Sequence, residues 1–110
     1  MLPKLEKRRR DMETIVLHSF SNDNFMIYLV RRGGVLLDRV VVKICVRGSE
    51  VFKKEVLIHP GFLGFNLVGL AQVPVDPSVL KGEGADLSIL VLKNEREVCP
   101  PVPFLVPLSS

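Results

Sequence analysis

The stretch NFMIYLVRRGGVLLDRVVVKICVRG, residues 24–48, decides the fold class of this chain. Its apolar clusters are short and rich in β-branched residues, and turn residues interrupt them before any helical period develops. In its second half Val40, Val42, Ile44 and Val46 share one face, because side chains alternate along a strand. The stretch therefore predicts successive β-strands, each with one face in a core.

Turn residues between these clusters predict two hairpins. Residues 25–30 form a strand that Arg31-Arg32-Gly33-Gly34 would close into a hairpin, since a Gly-Gly pair supplies the positive φ angles of tight turns. A second turn at Gly48-Ser49 precedes VFKKEVLI, residues 51–58, which would be the return strand of the second hairpin.

The same pattern continues on both sides. TIVLHSF at 14–20 predicts a first strand, and His59-Pro60-Gly61 predicts a stop because proline lacks a backbone donor. GFNLVGLAQV at 64–73 would be one strand or two short ones, and residues 76–80 would form one helical turn. DLSILVLK at 86–93 places Leu87, Ile89 and Val91 on one face.

Length and composition agree with a single all-β domain. The chain has 110 residues, of which 47% are hydrophobic, enough for one core and too few for two. We expect a small antiparallel β-sandwich, immunoglobulin-like, of about seven strands, with a small β-barrel as the alternative. The sandwich domain would cover residues 14–99.

The first residues, 1–13, predict a basic N-terminal arm. Its cations outweigh the net charge of the whole chain, which is +3, so the remainder is close to neutral. Such an arm would bind phosphates of a nucleic acid with little sequence preference, although a solubilising terminus is the plainer interpretation. The candidate phosphate-binding residues are Lys4, Lys7, Arg8, Arg9 and Arg10.

The last residues, 100–110, form a proline-rich apolar tail. Its prolines exclude a helix or a central strand and favour an extended segment. A solvated linker would not carry its apolar residues, so the tail either packs on the body or binds a partner. The candidate partner-binding residues are Val102, Phe104, Leu105 and Val106.

No motif predicts chemistry, and we expect no catalytic, cofactor or metal residues. His18 and His59 lack a partner at motif spacing, and Cys45 and Cys99 fit no zinc spacing, although a disulfide between them stays open. The glycines match no phosphate-binding loop. The scattered carboxylates are interpreted as solvated residues; they include Asp38, Glu50, Glu55 and Asp86. Tyr28, opposite in parity to Phe25, is interpreted as a core or rim residue.

The N-terminal residues bear on the cellular location of the protein. The basic residues precede Asp11-Met12-Glu13 rather than an apolar run, so the sequence shows no signal peptide and no membrane span. We expect a cytoplasmic protein as the sequence is written, or an extracellular one if a leader precedes it. Few amides among many charged residues are a thermophile tendency.

Three segments together carry a family resemblance: residues 24–48, then VLIHPGF, then LKGEGADLSILVLKNERE. This order resembles the immunoglobulin-like sandwich domains of archaeal pilins and archaellum accessory proteins over roughly residues 24–97. The resemblance implies a non-catalytic sandwich used for protein contacts. The chain departs from those pilins at Asp11-Met12-Glu13, where they have a long apolar helix.

The sequence therefore predicts a non-enzymatic structural or protein-interaction domain. It would associate with a protein partner, or with its own copies as a homo-oligomer, through strand edges or its apolar tail, since strand edges offer unpaired N–H and C=O groups. The strand at 51–58 is the candidate edge. The alternative is a nucleic-acid-binding β domain that uses the basic arm.

Overall fold

The structure, a computed structural model, describes residues 13–21, 24–32, 38–80 and 86–106. These residues form strands and turns apart from one 3₁₀ turn at Pro77–Leu80. The strands are β1 Thr14–Ser21, β2 Asn24–Arg31, β3 Asp38–Val46, β4 Ser49–Leu63, β5 Asn66–Val75, β6 Leu87–Lys93, β7 Arg96–Glu97 and β8 Val102–Phe104. The predicted all-β class is confirmed. In the described part of the chain, no helix has the length and hydrophobicity needed to cross a membrane.

All strand pairs are antiparallel, in the order β1-β2-β5-β4-β3-β6-β7, with β8 also paired to β6. We call β1, β2, β5 and the end of β4 the first sheet, and the start of β4 with β3, β6, β7 and β8 the second sheet. These two groups follow the strand order of immunoglobulin-like sandwiches. The predicted fold class is therefore confirmed, with eight strands where about seven were expected.

Strand β4 joins the two sheets. Its residues up to Ile58 pair with β3, whereas those from His59 to Leu63 pair with β5. A strand that changes partners in this way forms a corner between packed sheets. The predicted stop at His59-Pro60-Gly61 is wrong, because the strand runs through it. Pro60 is tolerated there because that end of β4 has a neighbour on one side alone.

The core lies between the sheets and consists mainly of aliphatic residues. Phe25, Ile27 and Leu29 on β2 face the alternating residues of β3 and β6 across it, and Leu80 of the 3₁₀ turn closes one side. The predicted inward faces are confirmed: those of β3 and β6 are Val40, Val42, Ile44, Val46, Leu87, Ile89 and Val91, each at most 5% exposed.

The two predicted hairpins had different outcomes. β3 and β4 do form one, and its turn residues Arg47 and Gly48 have φ of 49° and 85°, as a two-residue turn of this kind requires. The hairpin expected at residues 31–34 is wrong: β2 pairs with β1 and β5, and β3 with β4 and β6. β2 and β3 belong to different sheets, and each has two neighbours there.

Candidate interaction surface

The outer face of the first sheet carries no charged side chain within β1, β2 and β5; one exposed ion pair, Arg32–Glu13 at 3.4 Å, lies at its end. In the register of β1, β2 and β5, the pairs Ile15–Val30 and Leu17–Tyr28 point away from the core, and Leu70 and Gln72 continue these rows. Val30 is 7% exposed yet lies outside the core cluster, because its neighbours on this outer face cover it. The face is thus a second apolar layer, with its outer side towards solvent.

The hairpin between β4 and β5 exposes large apolar side chains on both of its faces and at its turn. Gly64, with φ of 66°, lies in the turn. Beside it, residues 61–63 of β4 pair with residues 66–68 of β5, and neither segment has another neighbour. We call its exposed residues the apolar tip: Phe62 (68% exposed), Leu63 (57%), Phe65 (102%) and Leu67 (47%). Half of the exposed large apolar residues of the described chain lie in this one turn.

Sequence reasoning missed the apolar tip although a signal was present. No Asp, Glu, Lys or Arg occurs from His59 to Val75, whereas strands that face solvent usually carry charges on that side. The apolar pattern predicts one strand or two short ones at 64–73, and the missing charges are the further signal that one side is uncovered. Gly61 is half-buried on β4 because the Leu70 side chain packs over it.

Strand β1 lies at one end of the sheet order and has an open edge. The backbone N–H of Arg32 donates to the carbonyl of Glu13 at 2.9 Å, which makes these two residues a hydrogen-bonded pair. Hydrogen-bonded pairs alternate along an antiparallel ladder, so Ile15, Leu17 and Ser19 also bond to β2. The backbone groups of the intervening residues point to the open edge; these residues are Thr14, Val16, His18 and Phe20.

The outer face of the second sheet differs in charge. Arg39, Lys43 and Lys53 alternate there with apolar residues, and ion pairs join Arg39 to Glu55 at 3.9 Å and Lys43 to Glu50 at 3.6 Å. The edge strand predicted at 51–58 lies here, as the first part of β4. It is an edge, but Lys53, Lys54 and Glu55 give it charges that disfavour pairing with another strand.

A partly buried ion cluster links the two sheets. Asp38 on β3 accepts hydrogen bonds from Arg31 of β2 and from Lys93 of β6. Burial by itself would raise the pKa of Asp38, but the hydrogen bonds from Lys93 and Arg31 and the Arg31 charge hold that pKa below its ordinary value. The prediction that Asp38 is a solvated residue is wrong, because it neutralises an arginine whose side chain is 5% exposed.

The four predicted tail residues do not form one surface. Val102 and Phe104 belong to β8, which pairs with β6, and Phe104 is 6% exposed against the rings of Phe25 and His18. Val102 and Val106 pack partly buried against the core. Leu105 alone points to solvent, at 71% exposure. Of the two alternatives for the tail, packing on the body describes three of the four candidate residues.

The remaining predicted residues have mixed outcomes. The arm residues Lys4, Lys7, Arg8, Arg9 and Arg10 lie outside the described residues. His18 contacts two phenylalanine rings and His59 lies at the corner of β4. Within the described ranges no three His, Cys, Asp or Glu residues lie together as metal ligands. Cys45 and Cys99 are free thiols, and burial, with the Glu97 charge, raises the pKa of Cys99.

Comparison with known proteins adds no relative. No family model matches this chain, and neither a curated protein nor a solved structure matches it. The resemblance to archaeal pilin sandwiches stays a prediction from the sequence. The most distinctive surfaces of the chain are the apolar tip and the outer face of the first sheet, whose strands carry no charge there.

Proposed function

We propose that this chain is a non-enzymatic protein-interaction domain that inserts its apolar tip into an apolar pocket of another polypeptide. The observation that carries the proposal is the concentration of exposed Phe62, Leu63, Phe65 and Leu67 in one turn. Contiguous apolar patches are rare on monomers and mark interaction sites, whereas single exposed leucines do not.

The shape of the tip supports this role. Two paired strands hold the tip, so its backbone is ordered before a partner binds and less entropy is lost on binding. Aromatic residues in the centre of an interface contribute much of its binding energy, and Phe65 is fully exposed at the turn. Because no charge flanks the tip from His59 to Val75, binding should depend weakly on salt.

The nucleic-acid alternative depends on the basic arm, which lies outside the described residues. The described surfaces give it no further support, because the cations of the second sheet alternate with Glu50 and Glu55 rather than forming a basic stripe. This alternative stays a prediction, and steep salt dependence would distinguish it from binding at the tip.

The proposal is tested by photo-cross-linking in the cells that make the protein, with a benzoyl-phenylalanine at position 65 of the full chain. We expect a discrete protein adduct that disappears when Phe62→Ser and Leu67→Ser are added. Leu105→Ser is the matched control, since Leu105 is an equally exposed apolar residue outside the tip, and it should leave the adduct unchanged.

Two results would contradict the proposal. One is an adduct pattern that the tip substitutions leave unchanged. The other is tip-dependent co-sedimentation with phosphatidylcholine vesicles in the absence of any protein adduct, which would assign the tip to a lipid surface instead.

A further inference from the structure

Within Thr14–Ser21, strand β1 lacks the charges, prolines and bulges that normally prevent edge pairing. Its eight residues, TIVLHSFS, include no Lys, Arg, Asp, Glu or Pro, and its register with β2 runs from Thr14 to Ser21 without a bulge. Native sheets usually protect a long edge with charges, proline, bulges or shortness. The other described edges have such protection: β4 has lysines and Pro60, and β7 and β8 are two and three residues long.

We infer that the open edge of β1 pairs antiparallel with β1 of a second copy, across a two-fold axis perpendicular to the first sheet. Such pairing satisfies backbone groups that the fold leaves open, and it joins two first sheets into one. It is independent of the proposed function, because β1 and the apolar tip lie at opposite edges of the first sheet and the tip stays free in the dimer.

The direction of the backbone groups selects one register. With Leu17 on the two-fold axis, Thr14 lies opposite the second copy's Phe20 and Val16 opposite its His18, so all four edge-facing residues form hydrogen-bonded pairs. With His18 on the axis, Thr14 lies opposite position 22, beyond the end of β1. The Leu17-centred register therefore forms the larger number of hydrogen bonds.

The side chains of β1 also favour a second copy of the chain as the partner at this edge. Leu17 is 53% exposed on the outer face and would meet its symmetry mate at a non-hydrogen-bonded position, where side chains approach most closely. A two-fold contact places the residues nearest the axis beside their own copies, so a charge near Leu17 would lie close to a like charge. The absence of charges from Thr14–Ser21 removes that repulsion.

The test uses the full chain with Cys45→Ala and Cys99→Ala and one new thiol. In the Leu17-centred register two Leu17→Cys residues lie with Cα atoms about 4.5 Å apart, within the range of a disulfide. We expect Leu17→Cys to form a covalent dimer at least tenfold faster than Ser19→Cys, which would face Ile15 of the second copy. Equal rates, or a faster Ser19→Cys reaction, would overturn the register.

Light scattering of the natural chain gives the second readout. We expect a mass that rises with concentration towards twice 12.3 kDa. Leu17→Lys should stay monomeric, whereas the control Leu105→Lys should still dimerise. Circular dichroism checks that each variant is folded. A natural chain that stays monomeric, or a dimer that Leu17→Lys leaves intact, would overturn the proposal. A dimer that only Phe65→Ser abolishes would overturn it as well, and would assign self-association to the tip.

Discussion

The two sheets of this sandwich share one core but differ on their outer sides. The first sheet presents Leu17, Tyr28 and Leu70 to solvent with a single ion pair at the end of that face, and its edge strand β1 carries no charge. The second sheet presents Arg39 and Lys43 in ion pairs, and its long edge carries Lys53-Lys54-Glu55. Burial in the core cannot explain the difference, because both inner faces are apolar.

The contrast indicates a division of roles between the sheets. Exposed ion pairs add little to stability, but charges keep a sheet soluble and prevent its edge from pairing with another strand. A sheet without them is prone to association unless a partner covers it. We therefore assign association to the first sheet and the hairpin that extends it.

The largest expected effect concerns the core that both sheets share. Phe104→Ala should lower the free energy of unfolding by about 3 to 5 kcal/mol, because a buried ring leaves a cavity between β8 and Phe25. Urea unfolding measures the change. The adjacent Leu105→Ala should change stability by less than about 0.5 kcal/mol, since its side chain is exposed. Equal effects of the two would contradict the docking of the tail.

The next effect concerns the ion cluster that connects the sheets. Asp38→Ala should cost about 3 kcal/mol or more, because it leaves the Arg31 charge buried without its carboxylate. Lys93→Ala should cost less, since the Lys93 side chain is 38% exposed and Arg31 would still neutralise Asp38. Thermal or urea unfolding of both variants measures the difference, and the reverse order would contradict this account of the cluster.

Acid should weaken the same cluster. Because the folded-state pKa of Asp38 lies below its ordinary 3.8, its contribution is fully present above about pH 4 and is lost as pH falls through the folded value. Urea midpoints should therefore fall more steeply below about pH 4 in the natural chain than in Asp38→Asn. Parallel pH profiles for the two chains would contradict the assignment.

The smallest expected effects are on the charged face itself. Lys43→Ala should lower stability by less than about 1 kcal/mol, since the Lys43–Glu50 pair is partly exposed. The matched change, Tyr28→Lys, adds a charge to the outer face of the first sheet and should weaken self-association while leaving the fold intact. Light scattering and urea unfolding measure association and stability in both variants. If Lys43→Ala affected association as strongly as Tyr28→Lys, the proposed difference between the two outer faces would be contradicted.

Alternation along the chain predicted the strands and their inward faces, because strand side chains obey a period of two whatever their neighbours. Pairing partners were not predictable from turn residues: Gly33-Gly34 suits a hairpin, yet β2 gains two other neighbours. Pro60 looked like a stop because sequence does not reveal which side of a strand is free.

The candidate site was harder to predict than the fold. Strand edges were expected, but which strand is last in the sheet depends on contacts between residues distant in sequence. Asp38 resembled any solvated carboxylate until the fold brought Arg31 and Lys93 to it. The uncharged segments Thr14–Ser21 and 59–75 were visible in the sequence. Their meaning depended on knowing that their outer sides are not covered by the second sheet.

Amide hydrogen exchange at low and high protein concentration tests the central claim most directly, because it compares the edges of β1 and β4 in one unmodified chain. We predict that concentration increases protection at the Val16, His18 and Phe20 amides, which point to the open edge, and leaves Lys53, Lys54 and Glu55 unchanged. Added protection along β4 instead, or none at β1, would contradict the assignment of association to the first sheet.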